Sequence, residues 1–213
     1  AYPMRCLRPA LIPLLCLLAV SVHADDLPSL GDSSSGIISQ RQEHELGHAW
    51  LSIIRAQSQQ IPDPLLKDYV ETSVYRLAET SQLQDRRLSF ILLKNPQLNA
   101  FAAPGGIIGV NGGLFLYAKT EGEYASVLSH ELAHLSQRHF ARGIQAQQNM
   151  QMPTLAGMLA GIVAIAAGAG DAGMAALAGS QAAAMKAQQS FSRQNEQEAD
   201  RIGLVNLEQA GYD

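Results

Sequence analysis

The chain has 213 residues, with 15 Lys and Arg against 19 Asp and Glu (net charge −4), and 16% charged against 47% hydrophobic residues. That is the length of one ordinary domain with enough apolar content for a packed core, which excludes disorder as its main state. The acidic balance and the lack of any Lys/Arg run exclude electrostatic capture of a nucleic acid.

Both cysteines, Cys6 and Cys16, fall in the first 24 residues, where Arg5 and Arg8 precede an uncharged run from Leu11 to Val22 that ends in Val22-His23-Ala24. This pattern predicts a secretory signal peptide over residues 1–24, too short in its apolar part for a comfortable membrane span and cleaved before Asp25. Cleavage leaves 13 basic and 19 acidic residues, a net charge of −6, and no cysteine. Any metal site in the exported chain must therefore be built from histidines and carboxylates. Residues 25–36, DDLPSLGDSSSG, have the Ser-, Gly- and Asp-rich composition of a flexible linker.

Structure is expected to begin after that linker. Residues 37–57 carry Leu46, Ala49, Trp50, Ile53 and Ile54 at helical spacing and predict a helix buried along that stripe. A second helix is expected from Pro64 with Asp63 as its cap. Three short β-prone stretches follow, Leu88 to Leu93, Leu98 to Ala103 and Ile107 to Val110, separated by Asn95-Pro96 and Pro104-Gly105-Gly106; they predict a small sheet. Thr120 followed by Glu123 is a capping-box pattern that opens a long helix over about 121–150. Residues 154–187 are dominated by Ala, Gly and Met, and the uncharged run Thr154 to Gly170 sits at the lower end of the membrane-spanning range. Small side chains contribute little transfer energy, so a flexible apolar segment that covers a cleft or touches a membrane peripherally is expected over a true span. A last helix is expected from about Ser192 to Ala210, capped by Gly211.

The chemistry lies in His130-Glu131-Leu132-Ala133-His134. At about 100° per residue, histidines four apart come within about 40° of one another on one helix face. Two imidazoles so placed can bind one Zn²⁺, and Glu131 on the adjacent flank can act as general base without being a ligand. The chain contains the same pattern a second time, His44-Glu45-Leu46-Gly47-His48. If Leu46, Ala49, Trp50, Ile53 and Ile54 are buried there, His44 and His48 point to the opposite side, beside Arg41 and Arg55, and that copy is a solvated polar face. The second copy is flanked by Val127, Leu128 and Leu135, as a buried helix would be.

Two histidines need a third ligand. A metzincin would place Gly at 137 and His at 140, where this chain has Gln137 and Phe140, and His139 would point away from His134 on a continuous helix. The remaining source is a later helix, and Asn195-Glu196-Gln197-Glu198-Ala199-Asp200 offers two carboxylates at i and i+4. One can bind the metal while the other accepts a hydrogen bond from a ligand imidazole, with Glu198 on the opposite, solvent side.

SVLSHELAHLSQRH followed by FSRQNEQEADRIG resembles the gluzincin metalloproteases related to HtpX and the CAAX prenyl proteases. With the N-terminal signal and NAFAAPGGIIGVNGGL upstream, the resemblance is strongest to periplasmic members concerned with outer-membrane assembly. It extends from about residue 37 to the end. The resemblance implies an α+β, zincin-like peptidase domain over 37–213, mostly helical with a small sheet. It also implies an edge strand at Asn99, Ala100, Phe101 and Ala102 that pairs with substrate backbone, and a chain that ends before a C-terminal tetratricopeptide-repeat domain. Taken together, the two lines assign one Zn²⁺ to His130, His134 and Glu196, catalysis to Glu131, and Asp200 to orienting a ligand imidazole. The expected function is a periplasmic zinc endopeptidase acting on unfolded or misassembled proteins alongside the outer-membrane assembly machinery. The alternative is a periplasmic chaperone or assembly factor with a structural or latent zinc site.

Overall fold

A computed structural model describes residues 38–212; the signal and linker expected over 1–36 lie outside them. The chain folds as α1 (Gln40–Gln57), α2 (Pro64–Thr80), β1 (Ser89–Leu93), β2 (Ala100–Ala103), β3 (Ile107–Asn111), α3 (Gly112–Tyr117), α4 (Glu121–Ser136), α5 (His139–Ala166) and α6 (Gly170–Gln209). It is a mostly helical α+β domain with one three-stranded sheet, as expected.

The sheet has the order β1-β3-β2, with β1 parallel and β2 antiparallel to β3. Every residue of β3 is buried, as its central place requires. The β2–β3 turn runs through Gly105 and Gly106 at φ of 78° and 79°, a conformation open to glycine at no steric cost. β2 is left at an edge. Pro64 in the first turn and Asp63, whose carboxylate accepts from the N–H groups of Leu65 and Leu66, start α2 as expected. The Thr120 side chain accepts from Glu123 N–H to start α4, but Glu123 reaches back to the N–H of Lys119 rather than to Thr120. The main core gathers Val70, Val74 and Leu77 of α2, Ile108 and Val110 of β3, Leu128 and Leu132 of α4 and Leu207 of α6. On α4, Leu128 and Leu132 face this core, so His130 and His134 lie on another side of the same helix.

Three expectations are corrected. In α1 the buried face is Glu43, Gly47 and Leu51, while Leu46, Trp50 and Ile53 remain exposed. A close approach decides this face: a Cβ at Gly47 would lie 1.9 Å from the Pro104 carbonyl oxygen, so only glycine lets α1 settle on the β2–β3 turn. Second, the helix expected over 121–150 breaks after Ser136. Arg138 adopts a left-handed conformation, φ 51° and ψ 41°, and α5 restarts at His139. A non-glycine residue holds that conformation only when its surroundings impose it. Here the Arg138 guanidinium donates to Glu43 Oε2 at 2.9–3.0 Å and to the Ile38 carbonyl at 2.8 Å.

Third, residues 154–187 are helical throughout, apart from the turn at 167–169 between α5 and α6. Small residues let the two helices pack antiparallel at short range: a Cβ at Gly161 would lie 2.7 Å from Leu177 Cγ, and one at Gly157 would lie 2.7 Å from Ser180 Cβ. The small side chains that lower transfer energy thus build a tight helix interface. α5 is long and apolar enough to cross a membrane by length and composition alone.

Candidate metal centre and active site

α4 presents His130 and His134 four residues apart, half-buried, with their Nε2 atoms 3.0 Å apart. α6 crosses this turn and brings Glu196 Oε2 to 3.4 Å from His130 Nε2 and 3.7 Å from His134 Nε2. A tetrahedral ion with bonds of about 2.0–2.1 Å holds neighbouring donors about 3.3 Å apart, so these three spacings bracket that geometry. Two imidazole nitrogens and a carboxylate oxygen, without cysteine, form a donor set suited to zinc. Among the described residues these three form the cluster able to hold a metal ion.

The approach of α6 has a specific cause. Gly203 lies against α4 so closely that a Cβ there would be 3.1 Å from the backbone N and Cα of His130. Ser129, fully buried, donates from Oγ to the Gly203 carbonyl at 2.7 Å and accepts from Asn206 Nδ2 at 3.1 Å; Asn206 in turn accepts from Thr80 Oγ1 of α2 at 2.9 Å. This buried polar string fixes the register of α6 on α4. One turn and two turns back from Gly203, Asp200 and Glu196 then face the histidines. Asp200 Oδ1 lies 2.9 Å from His130 Nδ1, the nitrogen turned away from the cluster.

Glu131 sits between this cluster and the sheet edge. Its Oε2 accepts the N–H of Ala102 at 2.8 Å. Burial raises its carboxyl to about 7, against the lowering effects of His130 and of the Ala102 N–H; the Glu196 charge adds to the rise. Of the four residues expected to form an edge strand, Ala100, Phe101 and Ala102 belong to β2, and Asn99 precedes it. The Asn99 carbonyl already accepts from Asn111 N–H. Antiparallel alternation then directs the backbone groups of Phe101 toward β3 and those of Ala100 and Ala102 outward. The Phe101 ring covers Gly109, where any Cβ would collide with it, and stacks edge-on against Trp50. His130 also lines a cavity with Ser126, Val127, Asp200, Gly203, Leu204 and Leu207.

Two placements differ from expectation. His139 was expected to point away from His134, but the break at Arg138 swings it back, so that His139 Nδ1 lies 2.8 Å from His134 Nδ1. Glu198 was expected to face solvent. It instead accepts from Arg142 Nη1 at 2.8 Å and lies 3.2 Å from His139 Nε2. Burial pushes His134 below the ordinary histidine range, helped by the neighbouring His130 and His139 rings. Burial also lowers His139, with Arg142 adding to the effect and Glu198 opposing it. Burial alone would raise Glu198, but the hydrogen bonds from Arg142 and His139 outweigh it and hold the carboxyl low. No Gly or Pro marks the break after Ser136, so His139, Arg142 and Glu198 carried no sequence signal as a group.

The first histidine pair stands elsewhere. His44 and His48 lie with ring centroids 4.2 Å apart at the β2–β3 turn end of α1, with His48 exposed and His44 half-buried.

A family model for peptidase family M48 matches residues 64–213. The chain is 35% identical over 213 residues to the putative beta-barrel assembly-enhancing protease of Vibrio cholerae, an alignment covering all of this chain and 44% of that protein. It is 38% identical over 195 residues to the beta-barrel assembly-enhancing protease of Escherichia coli K12, covering 92% of this chain and 40% of that one. The mitochondrial metalloendopeptidase OMA1 of Arabidopsis thaliana is 35% identical over 136 residues, 64% of this chain and 25% of that protein. The chain thus spans less than half the length of these relatives. Since the family model runs through every element from α2 to α6, the chain belongs to peptidase family M48, a family of metalloendopeptidases.

Proposed function

We propose that the chain is the zinc-dependent endopeptidase domain of a periplasmic protein that acts in the quality control or assembly of outer-membrane proteins. The observation that carries this reading is the convergence of His130, His134 and Glu196 beside Glu131 at an open sheet edge. The export signal read in residues 1–24 and the names of the Vibrio and Escherichia relatives support the compartment and the substrate class.

In this reading His130, His134 and Glu196 hold one zinc ion, and Asp200 orients His130. When bound, the ion supplies Lewis acidity toward the scissile carbonyl and toward the attacking water. A substrate strand pairs with the outward backbone groups of Ala100 and Ala102, and the N–H of Ala102 that Glu131 now occupies becomes available to it. Glu131, freed at the same point, takes a proton from the water and delivers it to the leaving amine. The cavity beside His130 accepts an apolar side chain between Val127, Leu204 and Leu207. Leu155, Leu159, Ile162 and Val163, exposed on α5, support a peripheral membrane contact.

The test is cleavage of an unfolded β-barrel protein by the purified chain and by its Glu131→Gln variant, with zinc content measured in both. Cleavage by the wild type alone, at equal zinc content, is expected. Equal cleavage by both would remove Glu131 from its role, and no cleavage by either would favour an assembly factor with a structural or latent zinc site.

A further inference from the structure

His139 is a buried histidine, 6% exposed, that the reading above does not use. It stands in a row: Arg142 Nη1 donates to Glu198 Oε2, His139 Nε2 lies 3.2 Å from the same oxygen, and His139 Nδ1 lies 2.8 Å from His134 Nδ1. Chemistry at one end fixes every hydrogen in that row. An ionised carboxylate beside an arginine only accepts, so His139 carries its hydrogen on Nε2. Its Nδ1 is then a bare lone pair, and the contact with His134 forms only if His134 donates from its own Nδ1. His134 Nε2, which faces His130 and Glu196, is left as a lone pair. Were both nitrogens of His139 to donate, His134 would accept at Nδ1 and carry its hydrogen on Nε2, at the position a metal must occupy.

We propose that His139 is a positioning residue for His134, relaying the acceptor character of Glu198 so that His134 presents its Nε2 lone pair to the metal. This rests on the reading of His130, His134 and Glu196 as zinc ligands. The two imidazoles are served differently. His130 meets a carboxylate directly at Asp200, whose side chain is 73% exposed, so water can substitute for it. His134 meets a carboxylate through a buried ring, and there loss of the acceptor leaves an N–H without a partner. The break at Arg138 makes the relay possible, because on a continuous helix His139 would face another way. The Arg138 ion pair with Glu43 thus links the docking of α1 to the geometry of a ligand.

The test uses the full chain, titrated with zinc against a competing chelator, with folding followed by circular dichroism. His139→Phe keeps a ring and removes the acceptor; it is expected to weaken zinc binding about 10- to 100-fold, the range for outer-shell partners of metal ligands. Glu198→Gln keeps an oxygen that accepts from His139 and should stay within about threefold of wild type, whereas Glu198→Ala should weaken binding as His139→Phe does. Nitrogen-15 spectra of histidine-labelled, metal-free wild type should show hydrogen on Nδ1 of His134 and on Nε2 of His139, a result independent of whether any variant folds. The reverse tautomers, or a folded His139→Phe chain that binds zinc like wild type, would overturn the proposal. His134→Ala separates the two readings. Zinc binding that survives it defeats the metal centre itself, while binding lost in His134→Ala but kept in His139→Phe defeats only the relay.

Discussion

Replacing Gly47 with alanine should destabilise the domain, although helix propensity alone predicts a gain. In an open helical position, Gly→Ala stabilises by about 1 kcal/mol. At Gly47 the added methyl would lie 1.9 Å from the Pro104 oxygen, 2.8 Å from its carbonyl carbon and 3.1 Å from Ile107 Cδ1. Real Cβ atoms do not approach backbone within 3.0 Å, so α1 and the turn must separate by more than 1 Å. The same face of α1 carries Leu51, 1% exposed and packed with Ile91, Ala103 and Ile107. Loss of contact by about 0.5–1 Å forfeits a quarter to a half of the dispersion attraction, and full exposure of a leucine costs about 1.5–3 kcal/mol. Strain of about 1–3 kcal/mol for an overpacked methyl, together with about 0.4–1.5 kcal/mol of lost Leu51 contact, outweighs the propensity gain of about 1 kcal/mol, for a net loss of about 0.5–3.5 kcal/mol. Gly179 of α6, exposed and with nothing within 4 Å of its Cβ position, is the control, where the same substitution should be neutral or stabilising. Urea denaturation of the three proteins gives the comparison. A stabilised Gly47→Ala chain would show that α1 does not dock on the Pro104 turn.

His130→Ala or His134→Ala should abolish stoichiometric zinc binding, while the double variant His44→Ala/His48→Ala should leave it intact; metal analysis of the purified proteins reads both. In chelator competition Glu196→Ala, which removes a donor atom, should reduce zinc affinity far more than Asp200→Asn, which retains an oxygen beside His130 at an exposed position and should cost no more than about 10-fold, the low end of the range for outer-shell partners. The opposite order would exchange the roles of the two carboxylates.

What sequence reading could reach depends on how local the controlling interaction is. The spacing of His130 and His134, the cap at Asp63 and the Pro104-Gly105-Gly106 turn are set by neighbours in the chain, and the elements they mark were legible. The i, i+4 placement of Glu196 and Asp200 on one helix was equally local, and that helix does bring both carboxylates to the histidines. The phase of α1 was not local. Counting apolar residues selects Leu46, Trp50 and Ile53, yet the helix is seated by a glycine contact with a turn over 50 residues away and by an ion pair between Glu43 and Arg138. The break after Ser136 depends on that same ion pair. His139, assigned outward on an ideal helix, turns inward as a consequence, and Glu198, on the unbroken α6, is met by His139 and Arg142 of α5 instead of solvent.

The two His-Glu-x-x-His segments show what the motif alone decides. Both stand on helices, and the rings of His44 and His48 are closer, at 4.2 Å between centroids, than those of His130 and His134, at 4.7 Å. Paired imidazoles are therefore common to both, and they do not distinguish the sites. The difference comes from the element that crosses each pair. α1 lies with its glycine on a turn of the sheet, next to a backbone carbonyl, and the described residues supply no third ligand there. α4 is crossed by α6 at Gly203, close enough for Glu196 and Asp200 to reach over. The alanine between Leu132 and His134 is buried in the core, while the glycine between Leu46 and His48 is the contact that seats α1. The single position at which the two five-residue segments differ thus marks their different tasks: one helix docks by that residue, and the other is docked upon.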